Sequence, residues 1–194
     1  MLFSFLNSYR RSIATTALLA LALAFAFSSL RINAWEAVLP LFEWMETSWF
    51  GVIGKTWGGA FAVVQAIHLL AMALSGGAIL ISNGRLLGLL LRDQPVQTIL
   101  IKSHRLFVIS LIIAIISGVF MACGVATKII YLPVYWIKML ALTAGVLFTF
   151  TIKQPLLADG VENLNPWVVR AAAVASLTVW FTVAATGRWI GYSG

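Results

Sequence analysis

The sequence predicts an all-α integral membrane protein, a polytopic bundle of five transmembrane helices with the N-terminus inside and the C-terminus outside. Three observations carry that reading. Of 194 residues, 61% are hydrophobic and 10% charged, and the mean hydropathy is +0.99; soluble domains carry roughly 25% charged residues. A soluble chain of this length has no core large enough to hide so much apolar surface. Apolar runs long enough to cross a hydrocarbon layer of about 30 Å recur along the chain. They lack the alternation of barrel strands, so helices are what satisfies the backbone in lipid.

The first run, Ser12–Leu30, follows Arg10 and Arg11. It is long for a signal-peptide core and is read as an uncleaved anchor helix. The second run is Trp57–Ser82, the third Arg105–Thr127, the fourth Tyr135–Ile152 and the fifth Trp167–Trp189. Residues 34–50 form an outer interfacial segment in which Pro40 starts or kinks a short helix. Residues 83–104 form an amphipathic inner connection, with Asp93, Gln94 and Pro95 as a turn before another short helix. The whole chain is one membrane domain.

Orientation follows from the basic residues. With the N-terminus inside, Arg10, Arg11, Arg85, Arg92, Lys102, Arg105, Lys153 and Arg170 fall on the inner side. Arg31, Lys55, Lys128, Lys138 and Arg188 fall on the outer side, together with Glu36, Glu43 and Glu46. Six tryptophans (Trp35, Trp44, Trp49, Trp57, Trp136 and Trp189) map to the outer interface and Trp167 to the inner one. The net charge of +7 is thus membrane-facing, with the lipid bilayer as partner and no nucleic acid. The localisation this implies is the bacterial inner membrane.

No Asp or Glu lies inside a predicted span. That disfavours carboxylate-driven transport and removes di-iron and carboxylate-pair chemistry. Phosphate loops, dinucleotide fingerprints and HExxH sites are missing too. Cys123 is the one cysteine and reads as a small buried hydrophobe.

The intramembrane polar residue that remains is His68. At about 1.5 Å per residue from Trp57 it lies roughly 16–17 Å deep, where an unpartnered imidazole is costly. Gln65, Met72 and Ser75 share its helical face, and Gly76 and Gly77 follow. Two readings stand side by side. His68 is an axial ligand of a haem b, with Gly76 making room for the porphyrin, or it forms an interhelical hydrogen bond. His104 is a second iron candidate, but in an antiparallel hairpin its depth differs from that of His68 by well over ~10 Å. It otherwise faces lipid headgroups. Lys138 either snorkels to the outer surface or pairs with a haem propionate or an anionic substrate.

The stretches "AIHLLAMALSGGAILISNGRLLG" and "WIKMLAL" resemble a family of small bacterial integral membrane proteins with an "xHxxG…DLRLLG" helix and a later lysine-bearing helix, akin to the copper-resistance-D-like membrane proteins. More distantly they are similar to the HemJ-type protoporphyrinogen oxidases, four-helix haem-binding proteins. The likeness covers roughly residues 57–150. It implies that His68 is the intramembrane histidine, Arg85 the arginine of "RLLG" and Lys138 the fourth-helix lysine. Two departures stand out. Asn83 occupies the place of the family's aspartate, and Tyr135, Trp136 and Ile137 stand where the oxidases have a histidine.

The function these features predict first is a membrane electron-transfer subunit. It holds a haem b and links the quinone pool to a redox partner on the outer face, within a larger membrane complex. The alternative is a cofactor-free anchor or assembly subunit. A third reading is a small copper transporter using Met72, Met121 and Cys123.

Overall fold

The computed structural model describes residues 28–158 and 160–192, together with residues 14, 16–18, 20, 21 and 24. The predicted first span therefore lies largely outside the described residues. The rest is helical. Helices α1 (Leu30–Thr47) and α2 (Trp49–Thr56) lead into α3 (Gly58–Leu86). A short turn leads to α4 (Val96–Gly124) and the brief α5 (Ala126–Ile129). The next long rod starts as α6 (Pro133–Leu147), passes through a π-helical segment (Phe148–Lys153), and ends as α7 (Gln154–Ala158). A 3₁₀ turn (Val161–Asn163) precedes α8 (Pro166–Ile190).

Four helical rods are long and apolar enough to cross a membrane: Gly58–Leu86, Val96–Gly124, Pro133–Ala158 and Pro166–Ile190. At about 1.5 Å per residue they exceed a hydrocarbon layer of about 30 Å, so they tilt or project beyond it. Large apolar side chains such as Leu70, Ile116 and Phe181 are exposed on their outer faces. This is the surface of a protein whose solvent is lipid.

Two boundaries differ from the sequence expectation. The inner connection, expected over 83–104, shrinks to a turn between Leu86 and Val96, because both flanking helices run into it. Pro95 does precede a helix, but that helix is the third span itself, so Lys102, His104 and Arg105 are helical. The turn closes on Gly88 (φ 71°), a conformation open to glycine at no steric penalty. Arg85 clamps it, donating from Nε and Nη2 to the Gln94 carbonyl at 3.1 and 2.9 Å. The rod expected as the fourth span runs on to Ala158 rather than ending at Ile152, and Lys153 is buried within the bundle.

Helices α3 and α4 pair in antiparallel fashion along a polar seam. His68 Nδ1 meets Ser117 Oγ at 2.9 Å, and Ser75 Oγ meets Ser110 Oγ at 2.8 Å. The next step of seven residues brings Ser82 opposite Ser103, and both are buried. A seven-residue repeat is the signature of left-handed helix pairing. In lipid, small polar residues at such a seam let the backbones approach and hydrogen-bond across it.

At the end of the bundle that the sequence reading takes as outer, α1 packs on the other helices. Phe42 is buried against Ala126, Ile129 and Ile130, and meets Tyr135 edge-on at 6.0 Å. Gly54 and Gly124 touch, so a Cβ on Gly54 would stand 3.2 Å from the Gly124 Cα. Glu46 pairs with Lys55 and accepts from the Thr127 amide at 3.2 Å, fastening α1 to α2 and α5. Trp44, Trp49, Trp57 and Trp189 are exposed at this end, as an interfacial belt requires.

The Lys55 ammonium, and then Thr127, hold the Glu46 carboxyl below its ordinary value of 4.5. A depressed carboxylate pKa contributes stability that is present above the unfolded value and lost as pH falls through the folded one. Thermal unfolding in detergent should therefore show a midpoint that drops as pH falls below about 4.5. Glu46→Gln should lower the midpoint at neutral pH and flatten that dependence.

Candidate functional site

Two polar layers interrupt the apolar interior, one toward each membrane surface. The inner layer is built on Lys153. Its ammonium donates to Asn83 Oδ1 at 2.7 Å and to Ser176 Oγ at 3.3 Å. Asn83 Nδ2 donates to the Ile79 carbonyl at 2.8 Å and to Ser176 Oγ at 3.2 Å, which fixes its oxygen toward the lysine. All three side chains are buried, with Asn83 at 0%, Ser176 at 1% and Lys153 at 6% relative exposure. The cluster thus joins α3, the π segment and α8 through neutral partners only.

The π segment explains how the long rod supplies these groups. A π turn closes on i→i+5 bonds, so residues four and five apart come to the same side. Thr149, Lys153 and Gln154 accordingly all line one cavity of about 270 Å³ between α3, α4, the long rod and α8. Thr149 accepts the Trp180 indole N–H at 3.2 Å. Trp180 packs edge-on against Phe107 at 5.0 Å and so roofs the cavity with aromatic surface. His104 lies in the same wall, with its Nδ1 2.7 Å from Gln154 Nε2. An amide nitrogen is a donor only, so Nδ1 accepts and the neutral ring carries its proton on Nε2.

The outer layer is built on His68. Ser117 Oγ donates to the Ile113 carbonyl at 2.6 Å. With its single proton directed to that carbonyl, the hydroxyl is free to accept from a His68 Nδ1–H tautomer at 2.9 Å. Nε2 then keeps its lone pair. The ring also packs on Gly118, where a Cβ would stand 3.2 Å from Cε1. The interhelical hydrogen bond expected as one reading of His68 is therefore present.

The structure disperses the other predicted site residues. Ser75 is buried in the seam, Met72 is half-buried, and Gln65 is exposed. A Cβ on Gly76 would meet nothing within 4 Å, so that face is open rather than packed on another helix. Lys138 lies on the outer half with its stem along α8, 3.4 Å from where a Gly187 Cβ would stand. Arg85 serves the inner turn. His104 is neither a headgroup-facing residue nor a partner for His68. It lies thirteen residues from Ser117 on one helix, about 20 Å along the axis. Two axial ligands of one iron cannot span that distance, and the ring nitrogen facing Gln154 is already occupied.

Lys153, Asn83 and Ser176 are the residues that sequence reasoning missed. A lysine after an apolar run ordinarily ends a span, and its buried partners lie 70 and 23 positions away. The seam was signalled, however, by polar residues at seven-residue steps: 68, 75, 82 on one run and 103, 110, 117 on the next.

These features define a multi-pass helical membrane protein with a cationic, donor-lined cavity in one half and a hydrogen-bonded histidine in the other. Residues 41–193 match a family of unknown function, DUF6644, and the chain belongs to it. No curated protein and no solved structure matches the chain.

If Asn83 and Ser176 hold Lys153, whose partners among the described residues are neutral, the effects of substituting Asn83 and Lys153 are coupled. Asn83→Ala should destabilise the protein by about 1–3 kcal/mol, the range for stranding a buried polar group. Asn83→Ala with Lys153→Met should recover much of that loss. Denaturation in detergent across the four-protein cycle measures the coupling; strictly additive losses would show that the cluster does not act as a unit.

Proposed function

We propose that the protein is an electron-transfer subunit of the bacterial inner membrane, holding a haem b through His68 and linking the quinone pool to a partner on its outer face. In this reading the chain has five spans with the N-terminus inside. The residues 12–30 supply the first span, and the basic residues of the inner loops set the orientation.

The observation that carries the proposal is the contact between His68 Nδ1 and Ser117 Oγ at 2.9 Å. Haem and metal ligands characteristically donate their second ring N–H to a fixed acceptor, which orients the ring and raises its basicity. Ser117 plays that part at 2.9 Å and leaves Nε2 as a lone-pair donor. The open surface at Gly76, two turns along α3, gives a flat group room on that helix. His68 would hold the iron from one side only, because His104 belongs to the other layer. A bound haem would supply one-electron chemistry. This chain's own contributions are to fix the imidazole, to exclude water with the surrounding apolar side chains and to present the exposed Trp44 and Trp49 at the outer end.

The alternative, a cofactor-free anchor or assembly subunit, draws on the same bond. A His68–Ser117 pair packed on Gly118 also does what a seam residue does, locking α3 against α4.

One comparison separates the two. Under the haem reading, protein purified in mild detergent shows a Soret band with sharp reduced α and β bands. His68→Ala abolishes them, and Ser117→Ala shifts the reduced bands or the midpoint potential while retaining haem. A well-folded, colourless sample after expression with haem precursor, whose melting point falls in both variants, would establish the packing role instead.

A further inference from the structure

We propose that the inner cavity is a binding site for an oxyanion, a carboxylate or phosphate, seated against the Lys153 ammonium. The inference is independent of the haem reading, since it concerns the opposite half of the bundle.

The argument starts from charge. A buried ammonium is strongly disfavoured in a low-dielectric interior unless an opposite charge stands beside it, even after relaxation. Lys153 is 94% buried by the 6% exposure that remains to it, and the partners it has, Asn83 and Ser176, are neutral. They take two of its three N–H donors. No Asp or Glu is found among the described residues lining the cavity. The lining adds donors instead: the protonated Nε2 of His104, the Arg105 guanidinium and the Gln97 amide. Such a set stabilises an incoming negative charge and offers little to a cation.

Shape and surroundings agree. The cavity of about 270 Å³ is near the lower end of small-ligand pockets and suits a headgroup rather than a large cofactor. Its remaining walls include Leu100, Ile101, Phe107 and Trp180, an apolar surround that fits the chain of an amphiphile. The π segment that gathers Thr149, Lys153 and Gln154 on one side is itself a feature that tends to mark functional positions in helices.

The geometry also names the substitution that answers the question. Asn83→Asp would place a carboxylate where Oδ1 now lies, 2.7 Å from the ammonium. The resulting internal ion pair should hold the fold and displace the external anion. Lys153→Met removes the cation while keeping its apolar stem.

The test follows thermal unfolding of the full chain in neutral detergent during three titrations: inorganic phosphate, phosphatidylglycerol-doped micelles and phosphatidylcholine-doped micelles. We expect a saturable rise in melting temperature with an anionic additive and none with phosphatidylcholine. A response to phosphatidylglycerol alone identifies a lipid headgroup as the source, and a response to inorganic phosphate as well identifies a free anion. Asn83→Asp and Lys153→Met should each weaken the response by about tenfold or more, the factor for losing a charged hydrogen bond. Lys128→Met, at the outer end, should keep it. Equal shifts with phosphatidylcholine and phosphatidylglycerol would overturn the proposal, as would native-like binding in Asn83→Asp. The first outcome needs no variant, so a misfolded substitution cannot rescue the idea.

Discussion

A lysine held inside the bundle with no carboxylate partner among the described residues is the constraint around which the inner half of this molecule is arranged. Its ammonium draws one acceptor from α3 and one from α8, while Lys153 itself comes from the rod between them. Three of the four membrane-length rods are therefore tied at one point. Burying such a cation is tolerable only if every donor is directed. Asn83 is directed because its own amide nitrogen is anchored on the Ile79 carbonyl. The backbone adapts to the same demand. An uninterrupted α-helix would keep Thr149 and Lys153 on one face but turn Gln154 away from Thr149, whereas with the π turn all three line one wall.

The α3–α4 seam sets where that wall stands. Lipid gives apolar helices no reason to prefer one register over another, since a leucine is as well solvated by acyl chains as by a neighbouring helix. Hydrogen bonds supply the preference. His68 with Ser117 and Ser75 with Ser110 fix the register at two points about 10 Å apart. A slip by one residue would break both and leave the serine hydroxyls bonded only to carbonyls of their own helices. Once that register is set, Asn83 and His104 are brought to the same level, and the cavity between them is a consequence.

Much of this was legible in the sequence, and the reason for each success or failure is specific. The apolar runs located the four rods because hydrocarbon thickness dictates their length. The tryptophan belt followed from ring amphipathicity, and Trp44, Trp49 and Trp57 are exposed where it was expected. Rod ends were less legible. Lys102, His104 and Lys153 look like loop residues when hydropathy alone is weighed, yet all three are helical. Long helices project past the hydrocarbon, so polarity near a rod's end does not terminate it; Pro95 was the better signal for where α4 begins. The inner cluster was not legible at all. Each of its members is unremarkable locally, and its meaning comes from contacts 23 and 70 residues apart. His68 was legible as a residue needing a partner, and the partner it found was a serine already marked by the seven-residue spacing.

The two histidines show how one bundle separates two kinds of chemistry. Ser117 accepts from His68 and leaves Nε2 as a Lewis base, while Gln154 donates to His104 and leaves Nε2 as a hydrogen-bond donor. The same side chain thus offers a lone pair in the outer layer and an N–H in the inner one, and the difference is set entirely by what the neighbouring helix presents. A lone pair suits a Lewis acid, and an N–H suits an anion. About 20 Å along the helices separates the layers, with the Ser75–Ser110 pair between them. Neither layer can borrow a ligand from the other, so each has to be complete within its own half, and the inner layer holds a lysine whose partners among the described residues are all neutral.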